Sequence, residues 1–84
     1  MKVEVLHSGS CAKCQRDLPG LRAAAQAVDP ELDWREIDIV QVIDYAVELG
    51  VFKPPAVAID GELAFPSLPT ADALVSAMRA RLRR

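Results

Sequence analysis

With 84 residues, 51% of them hydrophobic and 26% charged, the chain can form one small domain, residues 1–84, around a single core. Its formal net charge of −2, from 12 acidic and 10 basic side chains, provides no general attraction to nucleic acid or to anionic lipid. No apolar run could span a bilayer, and the N-terminus lacks the features of a signal peptide, so we expect a cytoplasmic protein without a membrane partner.

The spacing of apolar residues predicts an α/β fold with the element order βαβαββα. The predicted elements are a strand at 2–6, a helix at 12–28, a strand near a sheet edge at 32–39, a helix at 40–49, strands at 56–59 and 62–65, and a last helix capped by Thr70. Asp60-Gly61 is a strong two-residue hairpin turn, and Gly50 occupies the usual position at a helix end.

The first predicted helix contains a proline. A proline inside a helix removes an internal hydrogen bond and should kink the axis, so two helices separated near residues 17–18 are an alternative to one. The apolar residues stay in phase across Pro19, and we therefore predict one kinked helix. Its apolar stripe consists of Leu18, Leu21, Ala25 and Val28.

The two later helices have apolar stripes of their own. In the second helix Val40, Ile43 and Val47 follow helical spacing. The predicted buried face of the last helix consists of Ala73, Leu74, Ala77, Met78 and Leu82. Four arginines at its C-terminal end suit the negative end of the helix dipole and usually face solvent, so they do not indicate nucleic-acid binding.

Both cysteines lie in Cys11-Ala12-Lys13-Cys14, where the first strand gives way to the first helix. Ser10 is predicted to cap that helix, and the unpaired N–H groups at a helix start favour a thiolate over a thiol. Lys13 adds a cation nearby, although a solvated lysine without a role is the ordinary alternative. Two cysteines in a reducing compartment indicate a catalytic or metal-binding pair more than a structural disulfide. His7 could protonate a leaving thiolate, although an uninvolved loop histidine is the commoner situation.

Three features together resemble the thioredoxin superfamily, in particular its small, glutaredoxin-sized redox-active disulfide proteins. The first is the Cys-x-x-Cys after the first strand, and the second is Pro19, five residues beyond Cys14. The third is a segment that contains Val51, Pro55, Ala56, Ile59, Asp60 and Gly61. A lone Cys-x-x-Cys is weak evidence, but the ordered combination is specific and covers nearly the whole chain.

The resemblance implies a thioredoxin-like fold, with a four-stranded mixed sheet flanked by helices, and a thiol–disulfide oxidoreductase that reduces protein disulfides. Cys11 would attack the substrate disulfide as a thiolate, and Cys14 would then attack Cys11 and release the reduced substrate. Pro55 corresponds to the family's cis proline beside the disulfide, and Pro54 and Ala56 flank it in the expected substrate groove. The implied partners are a disulfide-containing protein and a recycling reductase. No cofactor or metal ion is implied, and we expect a monomer.

Several positions depart from the wider family. The residue before the cis proline commonly offers a backbone N–H to a bound peptide or to glutathione, and Pro54 has none. Residues 65–69 replace the Gly-Gly segment with which glutaredoxins hold glutathione, so glutathione dependence is doubtful. Ser10 replaces the aromatic residue that precedes the cysteines in thioredoxins, and Val5 replaces their buried acid. Glu4 is adjacent, but on a short strand it is more often a solvated side chain.

Two other functional classes stay open on the sequence. Cys11 and Cys14, with His7 as a third ligand, could bind a soft or borderline metal ion or an arsenic species. Copper chaperones that also place Cys-x-x-Cys after a first strand have the order βαββαβ, which differs from the order predicted here. A binding module without turnover is the second class. The retention of both sulfurs argues against it, because a scaffold has no chemical need for a second cysteine.

Overall fold

The fold is built on a central strand, from which the chain continues into the helix that carries both cysteines. The computed structural model of the chain describes residues 1–9 and 11–83. Its elements are β1 Lys2–His7, α1 Ala12–Val28, β2 Asp33–Asp38, a 3₁₀ turn Ile39–Val42, α2 Ile43–Leu49, β3 Ala56–Ile59, β4 Glu62–Phe65 and α3 Ala71–Leu82. The predicted order βαβαββα is thereby confirmed. None of the described helices is long and apolar enough to cross a membrane.

The sheet has the strand order β2-β1-β3-β4, with β2 at one edge as predicted. β1 pairs parallel with β2 and antiparallel with β3, and β3 pairs antiparallel with β4. Because parallel neighbours need a crossover connection, the chain between β1 and β2 must return along α1. The chain leaves β1 at the end of the sheet where α1 begins, and this places the cysteines at the C-terminal end of the central strand.

The two faces of β1 are buried by different helices. Val3 and Val5 belong to a core cluster with α1 and α3, whereas Leu6 packs with Ala46 of α2. The main cluster also contains Cys14, Leu18, Leu21, Ala25, Val57, Ile59, Leu74 and Met78. Successive strand residues point to opposite faces, so β1 alone supplies apolar side chains to both layers.

α1 is one continuous helix with Pro19 inside it, and the alternative of two helices is therefore excluded. Leu18, Leu21 and Ala25 are buried as predicted, and Val28 packs partly buried against the same cluster. Pro19 itself is exposed. The apolar face toward the sheet is thus maintained on both sides of the proline, while the proline ring faces away from the core.

The apolar stripe predicted for the second helix is wrong. Val40, Ile43 and Val47 are exposed by 71%, 56% and 70%. The segment starts as a 3₁₀ turn, in which the Asp38 carboxylate accepts a hydrogen bond from Val40 N at 3.0 Å, and α2 proper begins only at Ile43. Three residues per turn instead of 3.6 change the phase of the segment. The residues that face the sheet are Ile39, Val42, Tyr45, Ala46 and Leu49.

The predicted hairpin turn and the cap of the last helix are confirmed. Asp60 and Gly61 have φ of 50° and 82°, the two positive values that a type I′ turn requires. The Thr70 hydroxyl accepts a hydrogen bond from Ala73 N at 3.2 Å at the start of α3. Leu82 is 53% exposed, so its predicted burial is wrong. It lies one helical turn beyond Met78, the last fully buried residue of α3.

Glu4 is a buried residue of β1, which corrects the expectation of a solvated side chain. It is 5% exposed and accepts a hydrogen bond from the Tyr45 hydroxyl of α2, and Lys2 Nζ lies 3.8 Å from the same oxygen. Because Glu4 and Leu6 share one face of β1, the carboxylate faces α2, on the opposite side of the sheet from Cys14. Glu4 therefore ties α2 to the sheet and is not placed to deprotonate Cys14.

We expect Tyr45→Phe to destabilise the fold by about 1–3 kcal/mol at pH 7, because the buried Glu4 carboxylate loses a donor. The hydrogen bond to Glu4, with desolvation, raises the pKa of Tyr45 from 10.0 to about 12. A folded-state pKa above the unfolded one stabilises the fold below pH 10, and this contribution is lost between about pH 10 and pH 12.

Urea unfolding of both proteins at several pH values measures this difference in the free energy of unfolding. Tyr45 is the single tyrosine of the chain, so no other phenol titrates in that range. The gap between wild type and variant should be largest at neutral pH and should shrink above pH 10. A gap that does not depend on pH would contradict the role assigned to the hydrogen bond.

Candidate active site

Cys11 and Cys14 form a disulfide at the start of α1, with their Cα atoms 5.3 Å apart. Cys11 is the N-cap residue and is partly exposed, whereas Cys14 is 2% exposed and belongs to the main core cluster. The first cysteine is thus accessible to solvent, and the second is covered by the core. The first turn of the helix brings two residues three apart in sequence close enough to bond.

One backbone N–H is directed at the sulfur of Cys11. Its sulfur accepts a hydrogen bond from Cys14 N at 3.1 Å, and its own N–H donates to Ser8 O at 3.1 Å. Cys11 therefore occupies the cap position that was predicted for Ser10, which lies outside the described residues. A donor directed at the sulfur, together with the positive end of the helix dipole, stabilises negative charge on that atom.

Lys13 is exposed and lies apart from the cavity that contains the sulfurs. It lines a smaller cavity of about 330 Å³ between α1 and the loop before α3, together with Asp17. Hydrogen bonds from Arg16 hold the pKa of Asp17 below its usual value, and the charges of Arg16 and Lys13 add to this effect. Asp17 is already paired with Arg16, so it does not neutralise Lys13, and the exposed Lys13 ammonium acts on Cys11 only through solvent.

A cavity of about 450 Å³ opens beside the disulfide, on the side of β2. Its lining includes both sulfur-bearing residues, His7 and side chains from α1 and β2. The other lining residues are Ser8, Gly9, Gln15, Leu18, Pro19, Arg22, Ala23, Gln26 and Glu36. His7 is the last residue of β1 rather than a loop residue, and its Nδ1 lies 3.2 Å from Ser8 O. His7 is therefore the titratable side chain of β1 nearest in sequence to the sulfurs, and it shares their cavity.

The proline pair lies on the other side of the site. The peptide bond between Pro54 and Pro55 is cis, the isomer expected for Pro55, and both residues are half-buried. They lead into β3, which flanks β1 opposite to β2, and neither lines the cavity with the sulfurs. Ala56 has no exposed surface and pairs with Leu6 in the sheet. Its side chain is buried, so the residues of the predicted groove that offer surface are Pro54 and Pro55.

The described residues contain no cluster of three or more histidine, cysteine, aspartate or glutamate side chains that could hold a metal ion. His7 does not join the two cysteines in such a cluster. The ligand set that the sequence suggested for metal binding is therefore reduced to the two sulfurs, which are bonded to each other.

Arg22 and Glu36 are cavity residues that the sequence interpretation missed. A signal for Arg22 was available, because residues 15, 19, 22 and 26 recur at helical spacing along one face of α1 and all line the cavity. Glu36 carried no comparable signal. Its position beside α1 depends on the parallel register between β1 and β2, in which Val5 is opposite Glu36.

Comparisons with known proteins agree with this geometry. A family model described as a thioredoxin domain matches residues 1–78. A thioredoxin of Methanocaldococcus jannaschii is 30% identical over an alignment 86 residues long, and the alignment covers 98% of this chain and 96% of the relative. A probable thioredoxin of Methanothermobacter thermautotrophicus is 28% identical over 78 residues, 93% of this chain and 92% of the relative. The solved structure of thioredoxin 1 from Thermosipho africanus has the same fold, with a TM-score of 0.76, 23% identity and coverage of 99% of this chain and 96% of that one.

We expect Lys13→Gln to slow the alkylation of reduced Cys11 by iodoacetamide at pH 7 by less than about threefold, because an exposed charge in water acts weakly. Arg79→Gln, an exposed residue of α3, is the control for the same change in net charge. The rates are measured on the fully reduced proteins with Cys14 replaced by Ser in every variant. A tenfold reduction specific to Lys13→Gln would instead make Lys13 the main source of thiolate stabilisation.

Proposed function

The chain belongs to the thioredoxin superfamily, and from this membership we propose a direction and a substrate for its chemistry. It is a thiol–disulfide oxidoreductase with Cys11 and Cys14 as the redox pair. In our proposal the reduced pair acts as a reductant of disulfide bonds in proteins, and a separate reductase returns it to the dithiol form. The whole chain, residues 1–84, acts as one domain in this proposal.

Each turnover transfers two electrons from the pair to the substrate. The Cys11 thiolate attacks one sulfur of the substrate disulfide and displaces the other as a thiolate, which takes up a proton. Cys14 then loses its proton and attacks Cys11, and the second substrate sulfur leaves. The products are a reduced substrate with two thiols and the Cys11–Cys14 disulfide. His7 lies in the cavity with the sulfurs and is our candidate for the proton donor to the leaving thiolate.

The observation that carries this proposal is the hydrogen bond from Cys14 N to the sulfur of Cys11. The backbone donor and the helix dipole stabilise the charge that the attacking sulfur must carry. Cys14 is almost fully buried, which keeps its sulfur from competing for the substrate. Lys13 and Ser10 remain proposed as weaker contributors to the same stabilisation.

The substrate polypeptide is proposed to lie against Pro54 and Pro55. Pro54 cannot donate a backbone hydrogen bond to it, so the groove depends more on shape than on main-chain pairing. Residues 65–69 lack a glycine pair, and with Pro54 this speaks against glutathione as the recycling reductant. We also propose a cytoplasmic monomer, since a pair of cysteines arranged for redox turnover suits a reducing compartment.

The proposal is tested by the reduction of insulin disulfides and by the reduction potential of the pair in graded thiol buffers. We expect catalysis of insulin reduction and a reversible two-electron transition at about −270 mV, the value of thioredoxin. Cys11→Ser should abolish turnover, and Cys14→Ser should accumulate the mixed disulfide between Cys11 and substrate. Activity retained in Cys11→Ser, or a pair that forms no disulfide at any potential, would disprove the assignment.

We expect Pro54→Thr to increase the turnover of peptide disulfides about two- to tenfold, because it restores a backbone N–H that can donate one hydrogen bond. Pro69→Thr is the matched control, since it removes a proline from the loop before α3. Rates are compared with a peptide disulfide and with a small disulfide that has no backbone. A correctly folded Pro54→Thr variant with an unchanged peptide rate would contradict the role assigned to the groove.

A further inference from the structure

Four of the five exposed large apolar side chains among the described residues lie in one segment, residues 40–52, between β2 and β3. Val40, Ile43 and Val47 are exposed by 71%, 56% and 70%, and Phe52 is fully exposed. Single exposed apolar residues are ordinary on protein surfaces, but a group of them is typical of an interaction site. The chemistry proposed above gives this segment no role.

Three of these side chains form one apolar row, which consists of Val40, Ile43 and Val47. Residues three apart in a 3₁₀ turn lie one above the other, and residues four apart in an α-helix share a face. The row is therefore roughly 12 Å long. The opposite side of the same segment packs on the sheet through Ile39, Val42, Tyr45, Ala46 and Leu49. The apolar row consequently faces solvent.

Carboxylates border the apolar row. Asp44 and Glu48 each follow a member of the row by one position, so they lie beside it along α2. Both are exposed, and neither makes an ion pair with another described residue. Residues 36–52 contain four acidic side chains and no lysine or arginine, although the whole chain has a net charge of only −2. This surface therefore attracts cations next to apolar side chains.

The segment starts and ends at the end of the sheet where the cysteines lie. The last residue of β2 is paired with His7, and the first residue of β3 is paired with Leu6, at the C-terminal end of β1. Phe52 lies two residues before the cis Pro54-Pro55 pair. A partner docked on this segment is thus held at the end of the molecule that carries Cys11.

We propose that the exposed side of residues 40–52 is a docking surface for a helix of another protein, a helix whose aliphatic side chains are bordered by lysine or arginine. The aliphatic side chains of the partner cover the apolar row, and its cations lie against Asp44 and Glu48. Helices that dock through an apolar face use the same spacing of three, four and seven residues. This interaction goes beyond the proposed redox function and does not depend on turnover of the cysteine pair.

Area and charge decide among the possible occupants. Four side chains are too few for the roughly 1,600 Å² of a stable interface, and they suit a transient contact that buries less than about 1,200 Å². A second copy could offer Leu82 and the arginines of α3, but α3 and α2 pack on opposite faces of the sheet. Such contacts would form a chain or a ring instead of a closed pair. Anionic lipid is repelled by the carboxylates. A helix of a different protein is therefore the favoured occupant.

Two helical peptides of about 15 residues serve as probes, each held in helical form by a covalent bridge. Both carry a row of leucines, which lysines border in one peptide and glutamates in the other. Fluorescence anisotropy measures the affinity of each labelled peptide for the oxidised protein, so that no thiol exchange takes part. The variants are Ile43→Thr, Val47→Thr and Glu48→Gln. Leu82→Thr is the matched apolar control, since Leu82 is 53% exposed, and Glu31→Gln controls for the lost charge at an exposed position.

We expect the lysine peptide to bind about tenfold more tightly than the glutamate peptide at low salt, and this preference to shrink in about 1 M salt. Ile43→Thr and Val47→Thr should each weaken binding of the lysine peptide about fivefold, because each removes apolar surface from the contact. Glu48→Gln should reduce the preference for lysine about twofold. Both controls should match the wild type, and the amide resonances that shift on binding should belong to residues 40–52.

Three results would overturn the inference. Equal affinity for the two peptides, or no binding of either, would mean that the carboxylates and the apolar row do not act together. Weakening by Leu82→Thr as large as that by Ile43→Thr would mean that the peptide associates with apolar side chains wherever they are exposed. Sedimentation of the free protein gives the third test, because self-association that Ile43→Thr abolishes would assign the surface to a second copy of the chain.

Discussion

The structure depends on the pairing of one strand, β1, with neighbours on both of its sides. Residues Val3 to Leu6 are all buried, and their side chains alternate between the layer of α1 and α3 and the layer of α2. Since β1 pairs parallel with β2 and antiparallel with β3, it also determines which elements flank the site. The sulfurs, the β2-side cavity and the proline pair all take their positions from the end of this strand.

The start of α1 determines the surroundings of the two cysteine sulfurs. A helix start leaves backbone N–H groups without partners within the helix, and here Cys14 N donates to the Cys11 sulfur. Three residues further along, Cys14 lies on the face of α1 that packs into the core, and it is buried there with Leu18 and Leu21. The unequal exposure of the two sulfurs is therefore a consequence of amphipathic helix packing, and it needs no special residue beyond the cysteines.

The sequence predicted the element order and the position of the cysteine pair because these depend on local spacing and turn chemistry, whereas the mixed sheet was expected from the family resemblance. Asp60-Gly61, Gly50 and Thr70 each act within a few residues of their position, and each prediction at these positions is confirmed. The prediction that Val40, Ile43 and Val47 form a buried stripe is wrong because a 3₁₀ turn shifts the phase of the segment. The pattern of apolar residues does not reveal such a turn.

Positions that depend on two distant segments were the harder ones to predict. Glu4 was expected in solvent, and its burial requires a hydroxyl from Tyr45, 41 residues away. Glu36 lies at the cavity because of the register between β1 and β2, and this register is known only once the two strands are paired in the structure. Ala56 was placed in the groove from its position beside Pro55, but alternation along β3 puts its side chain on the same buried face as Ala58, toward α2.

The two sides of the disulfide differ in how they can bind a partner. On the β3 side, Pro54 and Pro55 offer rigid apolar surface without a main-chain donor, which suits a large partner that is recognised by shape. On the β2 side, Arg22 and Glu36 carry opposite charges at a cavity of small-molecule size. A charged pair in a limited volume discriminates among small ligands by point contacts, whereas apolar surface alone discriminates weakly between them. One redox pair lies between these two surfaces, so a partner that reaches Cys11 meets a different chemical environment on each side of the sulfurs.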